Sequence, residues 1–440
     1  MDQSLLNKSV PRYTSYPTAV QFTDKIQPKD YQQALSKMPA EKPISLYVHI
    51  PFCPQLCWYC GCHTQITKRQ DLINRYVDAL CSEVKLVANY MPSKLQVNHV
   101  HFGGGTPNAL SVQQMTVLMK TIRRYFDVTK DAEIAIELDP RTLNLDMIAC
   151  LKTEGFNRVS LGVQDFDPEV QQAINRIQPY DQVAMIVKRI REVGIEDISF
   201  DLIYGLPKQN TEKMARTLDQ VAHLSPKRVS VFGYAHVPWM KSHQKMIKKS
   251  PLPSSQTRLD LSFQISNALN IQGYENIGID HFAKPDDEMA VAYRDKRLHR
   301  NFQGYTTDNA KNLIGLGASS IGKIGNIYIQ NTTDISLYQK SLKQGDLGIA
   351  RGVKLSVEDA RRADIIQEIM CYFCADIPED ILMNSMDQLS FYIKEGIISL
   401  DKSGRLNIND EKYAPLYARL IAACFDQYLP SSEGRHAKAV

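Results

Sequence analysis

Short runs of β-branched and apolar residues alternate with longer amphipathic stretches between residues 44 and 234. This alternation predicts parallel strands of one sheet, each followed by a helix that returns the chain in a right-handed crossover. Six such units fit an open or partial barrel better than a closed eight-stranded barrel, and a doubly wound sheet is the alternative. The predicted strands are 44–50, 97–102, 132–138, 158–163, 198–203 and 228–234, and the predicted helices lie near 70–90, 111–125, 141–154, 168–192 and 211–224.

Polar and glycine-rich residues follow the predicted strands at the points where the strands end. Because the carboxyl ends of parallel strands meet at one edge of a sheet, ligands commonly bind there. Packing does not account for six such ends in a row, so we expect a functional site at this edge. The ends are a cysteine-rich loop after the first strand, Gly103-Gly104-Gly105-Thr106 after the second, Glu137 and Asp139 at the third, Gln164 at the fourth, Asp201 and Tyr204 on the fifth, and Ala235 after the sixth.

The cysteine-rich loop begins where the first strand ends and carries four of the nine cysteines. Cys53, Cys57 and Cys60 have the spacing C-x3-C-x2-C, and three thiolates on one short loop can bind one soft metal centre. A structural zinc site would need a fourth ligand, for which Cys62 and His63 are the candidates. Three ligands suit a four-iron cluster better, because one iron then stays open to a small molecule.

The same spacing, with an aromatic residue before the third cysteine, resembles the signature of the radical S-adenosylmethionine enzymes. The longer string from His49-Ile50-Pro51-Phe52-Cys53 to Cys60-Gly61-Cys62 is similar to one branch of them, the oxygen-independent coproporphyrinogen III oxidases (dehydrogenases) of haem biosynthesis. The related haem-chaperone branch usually lacks the fourth cysteine. The resemblance covers roughly residues 10–425. It implies an α/β fold: a partial (β/α)6 barrel of the radical S-adenosylmethionine type, with an N-terminal arm and a smaller, mainly helical C-terminal domain.

The resemblance also implies the cofactors and the residues that hold them. The cofactors are a [4Fe-4S] cluster with three cysteine ligands and two molecules of S-adenosylmethionine. Cys62 matches a cysteine that activity requires but that does not bind iron, so we expect Cys62 and Tyr59 to take part in catalysis. Carried over position by position, the cluster ligands are Cys53, Cys57 and Cys60, the first S-adenosylmethionine is held by Tyr47, Tyr59, Gly104, Glu137 and Ile321, and the second by Gly105, Thr106, Gln164, Arg176, Asp201 and Ala235.

The reaction that the resemblance implies is an anaerobic oxidative decarboxylation. A one-electron donor of the flavodoxin or ferredoxin type reduces the cluster, and cleavage of S-adenosylmethionine gives a 5'-deoxyadenosyl radical. The radical takes a hydrogen atom from the β-carbon of a propionate of coproporphyrinogen III, carbon dioxide leaves and a vinyl group forms, on two rings, to give protoporphyrinogen IX. The substrate carboxylates need cations, for which Arg12, Arg176 and Arg300 are the candidates.

Several of these residues also have an ordinary structural interpretation. The glycine run lacks the Lys-Ser/Thr of a phosphate loop and the spacing of a dinucleotide fingerprint, so it either brings the main chain close to a ligand or forms a plain tight turn. Glu137 and Asp201 lie in apolar strands and need partners there, in an ion pair or in ribose hydroxyls or an ammonium group. Arg176 falls on a predicted helix, where an arginine is more often a surface charge.

The overall composition is that of an ordinary globular protein, with 43% hydrophobic and 23% charged residues. The formal net charge of +4 is too small to favour nucleic acid, no apolar run is long enough to cross a membrane, and residues 1–10 lack the apolar core of a secretory signal. An odd number of cysteines, with four on one loop, does not fit a disulfide framework. We therefore expect a cytoplasmic monomer without nucleic-acid or membrane partners.

The chain is expected to divide into an N-terminal arm (1–40), a catalytic domain (41–330) and a helical C-terminal domain (350–430). Residues 11–18 contain two prolines and no helical period, which indicates either a disordered leader or an extended arm that covers the site, as is thought of the resembling oxidases. The block 273–322 matches the same oxidases closely. Near 397–408 we expect a hairpin, in Cys371 and Cys374 two buried thiols on a helix, and in 431–440 a disordered tail.

Three other functions compete with the oxidase. A haem-carrier protein of the same superfamily would bind haem and S-adenosylmethionine without decarboxylation. A related methyltransferase would use two S-adenosylmethionines but transfer carbon. A zinc-dependent binding module would hold zinc and no labile sulfide. Cys62, the N-terminal arm and the block 273–322 all favour the oxidase.

Overall fold

The computed structural model describes Leu5, Lys8 and residues 10–249 and 251–429. The tail at 431–440 lies outside the described residues. The chain forms one twelve-stranded sheet, a three-stranded sheet and two two-stranded ribbons. Numbered in chain order, the strands are β1 (Ile44–Ile50), β2 (Phe52–Cys53), β3 (Gln65–Ile66), β4 (Gln96–Gly104), β5 (Asp127–Leu138), β6 (Arg158–Gln164), β7 (Asp197–Tyr204), β8 (Arg228–Gly233), β9 (Glu275–Ile277), β10 (His281–Ala283), β11 (His299–Asn301), β12 (Gly304–Thr306), β13 (Leu313–Leu316), β14 (Ile321–Ile324), β15 (Ile327–Asn331), β16 (Ile349–Lys354), β17 (Cys374–Asp376), β18 (Ile398–Leu400) and β19 (Arg405–Ile408).

Helices connect most of these strands. In the same order they are α1 (Pro28–Ser36), α2 (Gln70–Tyr90), α3 (Val112–Tyr125), α4 (Leu145–Thr153), α5 (Pro168–Ala173), α6 (Tyr180–Glu192), α7 (Thr211–Leu224), α8 (Ser255–Ile271), α9 (Glu288–Arg294), α10 (Ile335–Lys343), α11 (Val357–Tyr372), α12 (Glu379–Lys394) and α13 (Ala414–Ala423). Short 3-10 helices span Ala19–Gln21, Pro107–Ala109 and Ser242–Lys249. Within the described residues, none of the helices combines the length and the apolar character that a membrane crossing requires.

Six parallel strands form the centre of the large sheet, in the order β1-β4-β5-β6-β7-β8. Beside β1, strand β13 is added in parallel, and β14, β15 and β16 follow in antiparallel order. Beyond β8, strands β10 and β9 are antiparallel. In the described part of the chain β9 and β16 are the two free ends of this sheet. The sheet is therefore open, as a partial (β/α)6 barrel requires.

The structure confirms the six predicted parallel strands, although β5 begins five residues earlier than expected. The prediction of one helix over 168–192 is wrong. The chain leaves the helix after Ala173, Asn175 takes a left-handed conformation (φ 56°) and Pro179 precedes α6. Proline cannot continue a helix that it interrupts. Arg176 consequently lies in a connection and is buried rather than on a helix surface.

The C-terminal predictions are correct in outline. Strands β18 and β19 form the expected antiparallel hairpin, and helices flank it. Cys371 is a buried thiol at the end of α11, but the prediction that Cys374 lies on the same helix is wrong. Phe373 ends the helix in a left-handed conformation (φ 59°), and Cys374 begins β17.

Amphipathic helices cover the sheet and form its main core. In α6 the buried residues Val183, Ile186, Val187 and Ile190 recur at the spacing of one helix face. Strand residues such as Phe200 are fully buried against them, as expected for parallel strands covered on their faces. This packing fixes the strand ends, and with them the loops at the carboxyl edge.

The first part of the N-terminal arm packs against the C-terminal helices, whereas Tyr31 and Leu35 further along the arm belong to the core of the large sheet. Val10, Tyr13 and Tyr16 are buried in the apolar cluster that α11, α12 and α13 form. The hydroxyl of Tyr13 donates a hydrogen bond to Asp426 at 3.0 Å. The arm is thereby held across the molecule, and the intervening Arg12 remains exposed.

One buried carboxylate ties α2 to the strands beside β1. Glu83 is 1% exposed, and its side chain accepts hydrogen bonds from the main-chain N–H of Gly317, the amide of Asn331 and the hydroxyl of Tyr338, each at 2.6 Å. Burial raises the pKa of Glu83 and the three donors oppose that rise. A carboxylate with three donors has the partners that burial demands.

Replacing Glu83 by alanine should therefore leave three buried donors without an acceptor. At about 1–3 kcal/mol for each unpaired group, with partial relaxation, we expect a loss of about 3–5 kcal/mol in the free energy of unfolding. The measurement is denaturant unfolding followed by circular dichroism. The matched control is Asp71→Ala on the same helix, whose carboxylate is exposed and pairs only with surface arginines, so it should change little. Equal shifts in the two variants would contradict the role of Glu83.

Candidate functional site

A cavity of about 510 Å³ lies at the carboxyl ends of the parallel strands. Its walls come from the loop between β2 and β3, from the ends of β4 to β8, and from Arg12 of the N-terminal arm. The edge that the sequence predicts to be functional is therefore the edge that carries the cavity. The predicted site residues that line it are Cys53, Cys57, Tyr59, Cys60, Cys62, Gly104, Gly105, Thr106, Glu137, Gln164, Arg176, Asp201 and Ala235.

The cysteine loop is closed at its base and held along its length. Strands β2 and β3 pair in parallel, and the N–H of Thr67 donates to the carbonyl of Cys53 at 2.9 Å. Midway, the N–H of Trp58 donates to the carbonyl of Ile174 at 2.9 Å. Tyr59 packs in a small apolar cluster with residues that follow β6, β7 and β8. The loop thus has one conformation in which its thiols line the cavity.

Neighbouring groups favour the thiolate form of Cys60 and donate hydrogen bonds to the sulfur of Cys57. A hydrogen bond with the side chain of Cys62 lowers the pKa of Cys60 to about 6, and the same pair raises the pKa of Cys62 well above its usual value. The sulfur of Cys57 accepts hydrogen bonds from Arg141 at 3.3 Å and Arg176 at 3.4 Å. Positive charge and hydrogen-bond donors stabilise a thiolate.

The donor set fits an iron–sulfur cluster held by three cysteines. Cys53, Cys57 and Cys60 line one cavity, and such clusters are bound by thiolates. In the described part of the structure, no three His, Cys, Asp or Glu side chains lie close enough together to hold a single metal ion. The thiol of Cys62 interacts with the sulfur of Cys60.

The glycine run after β4 brings the main chain against the cysteine loop. Gly104 has φ +121°, a conformation that residues with side chains rarely adopt. A Cβ atom on Gly105 would lie 2.6 Å from the carbonyl oxygen of Phe52. The hydroxyl and main chain of the next residue, Thr106, are already used inside the protein, by Asn108, Asp139 and Phe52. The run is required by close approach of two main-chain segments.

An aspartate and two arginines lie beside Cys57, and of these three residues only Arg141 was not singled out by the sequence. Asp139 pairs with Arg141 at 2.6 Å and with Arg176 at 3.4 Å. Burial alone would raise the pKa of Asp139, but the two arginines outweigh it and the pKa is lowered. Arg176 also donates to the carbonyl of Gly162 at 2.6 Å. The only sequence signal for Arg141 was its position just after the third strand end.

Glu137 is paired with a histidine of the neighbouring strand. Its carboxylate contacts the Nε2 atom of His101 at 3.0 Å and accepts a long hydrogen bond from the N–H of Gly104 at 3.4 Å. Burial opposes a charged imidazole, but the bond to Glu137 outweighs burial and raises the pKa of His101. The carboxylate thus has the ion-pair partner that one interpretation of the sequence required, and still faces the cavity.

Gln164 and Asp201 lie on neighbouring strands at the cavity wall. Gln164 has φ +68° at a register shift between β6 and β7, and such irregularities are common next to functional sites. Asp201 accepts a hydrogen bond from Ser160 at 3.0 Å. Burial and the nearby charge of Glu137 raise the pKa of Asp201 to about 6.

Two predicted site residues lie apart from the main cavity in the described structure. Tyr47 lines a second cavity of about 310 Å³ on the other side of Glu137 and Asp201, where its hydroxyl contacts His49 at 3.0 Å. Ile321 lies on β14 beside Phe22 and Tyr328. Strand β13 separates it from Tyr47, because Gly315 pairs with Tyr47 and its α-carbon faces the main chain of Ile321. The structure therefore does not bring Ile321 to the cavity wall.

Known proteins resemble this chain over nearly its full length. Residues 47–221 match the Radical SAM superfamily. A protein of Bradyrhizobium diazoefficiens named oxygen-independent coproporphyrinogen III oxidase is 46% identical, and the match covers 98% of this chain and 97% of the relative. A protein of the same name from Escherichia coli K12 is 42% identical over 96% and 94% of the two chains.

A solved structure has the same fold. Coproporphyrinogen III oxidase of Escherichia coli, described as a radical SAM enzyme, superposes with a TM-score of 0.90 at 41% identity. The match covers 95% of this chain and 98% of that chain. The similarity therefore extends over nearly the whole chain, beyond the sheet to the C-terminal helices.

The raised pKa of Asp201 predicts a pH-dependent cost in stability. Between its usual pKa and about 6 the folded protein keeps a proton that the unfolded chain has released, so this contribution to stability is lost as the pH rises through 6. Asp201→Asn should therefore be more stable than the wild type at pH 8, by at most about 3 kcal/mol, and nearly equal to it at pH 3. Thermal unfolding at both pH values measures this, with Asp219→Asn on the exposed face of α7 as control. A difference that does not change with pH would contradict the assignment.

Proposed function

This chain belongs to the oxygen-independent coproporphyrinogen III oxidases, a branch of the radical SAM superfamily, and we propose that it converts coproporphyrinogen III to protoporphyrinogen IX without oxygen. The reaction is an oxidative decarboxylation of two propionate side chains to vinyl groups. The chain is accordingly an oxidoreductase of haem biosynthesis.

The observation that carries this proposal is the composition of the cavity. Three cysteines with C-x3-C-x2-C spacing, a glycine turn and carboxylates from two strands line one space, and relatives of that name match across the whole chain. A [4Fe-4S] cluster with bound S-adenosylmethionine supplies a 5'-deoxyadenosyl radical that abstracts hydrogen. The protein must then bind the reactants, orient them and exclude water.

We infer that the residues around the cluster hold its iron atoms and set its reduction potential. Cys53, Cys57 and Cys60 are the proposed iron ligands, and the arginines at Cys57 hold positive charge next to the site. Hydrogen bonds and charge near cluster sulfurs set reduction potentials. Cys62, hydrogen-bonded to Cys60, stays free of iron and is a proposed catalytic residue with Tyr59.

Two S-adenosylmethionine molecules are part of the proposal. The first would use Tyr47, Tyr59, Gly104, Glu137 and Ile321, and the second Gly105, Thr106, Gln164, Arg176, Asp201 and Ala235. Gly104, Gly105, Glu137, Gln164 and Asp201 support it, since they face the same cavity with main-chain and carboxylate groups. Ile321 and Tyr47 are the weakest members, because both lie away from the main cavity.

The substrate carboxylates need cations that are not already paired. Arg176 is engaged by Asp139, Cys57 and a carbonyl, so it suits the cofactor side better than the substrate. Arg12 lines the cavity and donates to the carbonyl of Gly233 at 3.0 Å. Arg300 donates to the carbonyl of Arg12 at 3.4 Å. These two remain the proposed substrate cations.

Arg258 joins them as a further candidate. Its guanidinium lies 5.7 Å from the ring of Tyr204, beside Gly233. In the described structure the Nε atom of Arg258 and the Nε and Nη1 atoms of Arg300 are buried and have no hydrogen-bond partner. Burial, and to a lesser degree the charge of Arg12, lower the pKa of Arg258. Substrate carboxylates would give these guanidinium groups the missing hydrogen-bond acceptors. They would also place a negative charge next to the buried positive charge of Arg258.

The remaining properties stay predictions. We propose a cytoplasmic monomer that takes single electrons from a flavodoxin- or ferredoxin-like donor. The nine cysteines, all described and all free thiols, support a reducing compartment. The boundaries of the arm, the catalytic domain and the C-terminal domain likewise rest on the sequence.

Anaerobic reconstitution with iron and sulfide tests the function. With a chemical reductant, S-adenosylmethionine and coproporphyrinogen III, we expect 5'-deoxyadenosine and a divinyl product. Cys62→Ser should abolish product and keep the cluster absorbance, because Cys62 does not bind iron, whereas Cys53→Ser should lose the absorbance as well. A wild-type protein that binds porphyrin and forms no vinyl product would be a carrier, and a cluster lost in Cys62→Ser would mean that Cys62 is a ligand.

Arg258→Gln tests the substrate cations. Loss of a charge-assisted hydrogen bond costs about 1.5–3 kcal/mol, so the KM for coproporphyrinogen III should rise about 10- to 100-fold while the KM for S-adenosylmethionine stays the same. Arg258→Lys should lie between, since it keeps the charge without the planar fork. Arg297→Gln, exposed and paired with Asp295, is the matched control. An unchanged substrate KM in Arg258→Gln would remove this residue from the substrate site.

A further inference from the structure

A basic segment with exposed apolar side chains covers the outside of the cysteine loop. It comprises residues 237–249 and includes the 3-10 helix that ends at Lys249. Trp239, Met240 and Met246 are 51%, 69% and 45% exposed. The other exposed large apolar side chains of the described chain are spread over several helices and loops, with Met383, Met386 and Phe391 forming a second group on α12. Three within eight residues form a patch that the cavity does not use.

The segment is fastened directly to the residues that would hold the cluster. The Nε2 atom of His243 contacts the carbonyl of Cys60 at 2.8 Å, and the Nζ of Lys241 donates to the carbonyl of Cys62 at 2.9 Å. The amide of Gln244 donates to the carbonyl of Tyr59 at 3.0 Å. The segment that carries the patch is therefore in direct contact with the main chain of the cysteine loop.

The charge along the two stretches of chain that meet here is one-sided although the whole chain is nearly balanced. The protein has 52 Lys and Arg and 48 Asp and Glu. Neither the stretch 42–70, which contains the cysteine loop, nor the stretch 220–259, which contains the basic segment, has a single Asp or Glu. The segment itself carries Lys241, Lys245, Lys248 and Lys249. A local field of one sign steers a partner of the opposite sign toward it.

We propose that this patch, defined as Trp239, Met240, Lys245 and Met246, is the docking surface for an acidic one-electron carrier of the flavodoxin type. The proposal rests on the proposed function, which requires an electron from outside the chain. The apolar side chains supply the dry centre of a small interface and the lysines its charged rim. Such transient redox interfaces are small and depend on charge.

The redox step is a simple transfer. The reduced carrier gives up one electron and is oxidised by one unit, and the cluster behind Cys60 is reduced by one unit; no bond in the protein forms or breaks. The contacts of His243 and Lys241 with the carbonyls of Cys60 and Cys62 join the segment that carries the patch directly to the cysteine loop.

The test uses the anaerobically reconstituted enzyme and an acidic flavodoxin reduced to its hydroquinone. Lys245→Glu and Trp239→Ser change the patch without touching the cysteine loop. The matched control is Lys402→Glu in the exposed turn between β18 and β19. For each protein we measure the Kd of the flavodoxin by flavin fluorescence at low and high salt, the rate at which flavodoxin semiquinone forms on mixing, and turnover with dithionite.

We expect the Kd to rise at least about fivefold in both patch variants, because truncating an interface residue that contributes to binding costs about 1 kcal/mol or more. The difference between Lys245→Glu and wild type should shrink at high salt, because salt screens exposed charges. Semiquinone formation should slow in parallel, dithionite-driven turnover should not change, and Lys402→Glu should match the wild type.

Two results would overturn the proposal. Unchanged Kd and semiquinone rates in both patch variants would show that the carrier docks elsewhere. An equal loss of dithionite-driven turnover, with a raised KM for the porphyrinogen, would show that the patch serves the substrate. A wild-type enzyme that accepts electrons from the flavodoxin but makes no vinyl product would contradict the proposed function while leaving the docking surface in place.

Discussion

Two main-chain hydrogen bonds hold the cysteine loop on the edge of the sheet, and the site depends on them. The N–H of Gly105 donates to the carbonyl of Ile50 at 2.9 Å, and the N–H of Thr106 donates to the carbonyl of Phe52 at 2.8 Å. They continue the β1–β4 pairing past the point where both strands turn into loops. A side chain at Gly105 would collide with the Phe52 carbonyl. The thiols, the glycine turn and Glu137 keep their relative positions because this contact admits no extra atom.

Charge is arranged in layers around that contact. Next to the thiols, Arg141 and Arg176 face Cys57 and are balanced by Asp139. Along the inner edge, the carboxylates of Glu137 and Asp201 both raise the pKa of His101. The pKa of Asp201 itself rises to about 6 because burial and Glu137 both disfavour its ionised form. Outside the loop, the lysine-rich segment has no acidic residue. Cations beside the cysteines, carboxylates at the strand ends and a basic exterior segment are what the proposed cluster, the proposed S-adenosylmethionine sites and the proposed acidic electron donor would each require.

The regular part of the fold was predictable because it follows local pattern. The six apolar runs correspond to β1 and β4–β8, and the amphipathic stretches between them to the crossover helices. A parallel strand that is buried on both faces needs apolar residues along its whole length, and the sequence shows this directly. The break at Asn175 was missed because proline and a left-handed residue act over a single turn, inside a pattern that otherwise looks helical. The added strands β9, β10 and β13–β16 were also missed, because short antiparallel strands carry little periodic signal. Residues 273–322 were recognisable as a matching block but not as sheet.

The sequence by itself determined the chemistry: the spacing of Cys53, Cys57 and Cys60, the glycines after the second strand and the carboxylates at strand ends follow from residue type and order along the chain. The tertiary structure alone decided which side chains are partners. Arg141 meets Cys57, Arg258 lies beside Gly233, Arg12 reaches the cavity from an arm anchored more than 400 residues away at Asp426, and Ile321 stays one strand removed from Tyr47. Contacts between distant segments cannot be predicted from either segment alone. Each side chain has the same residue type and the same sequence neighbours whether or not the fold brings its partner close.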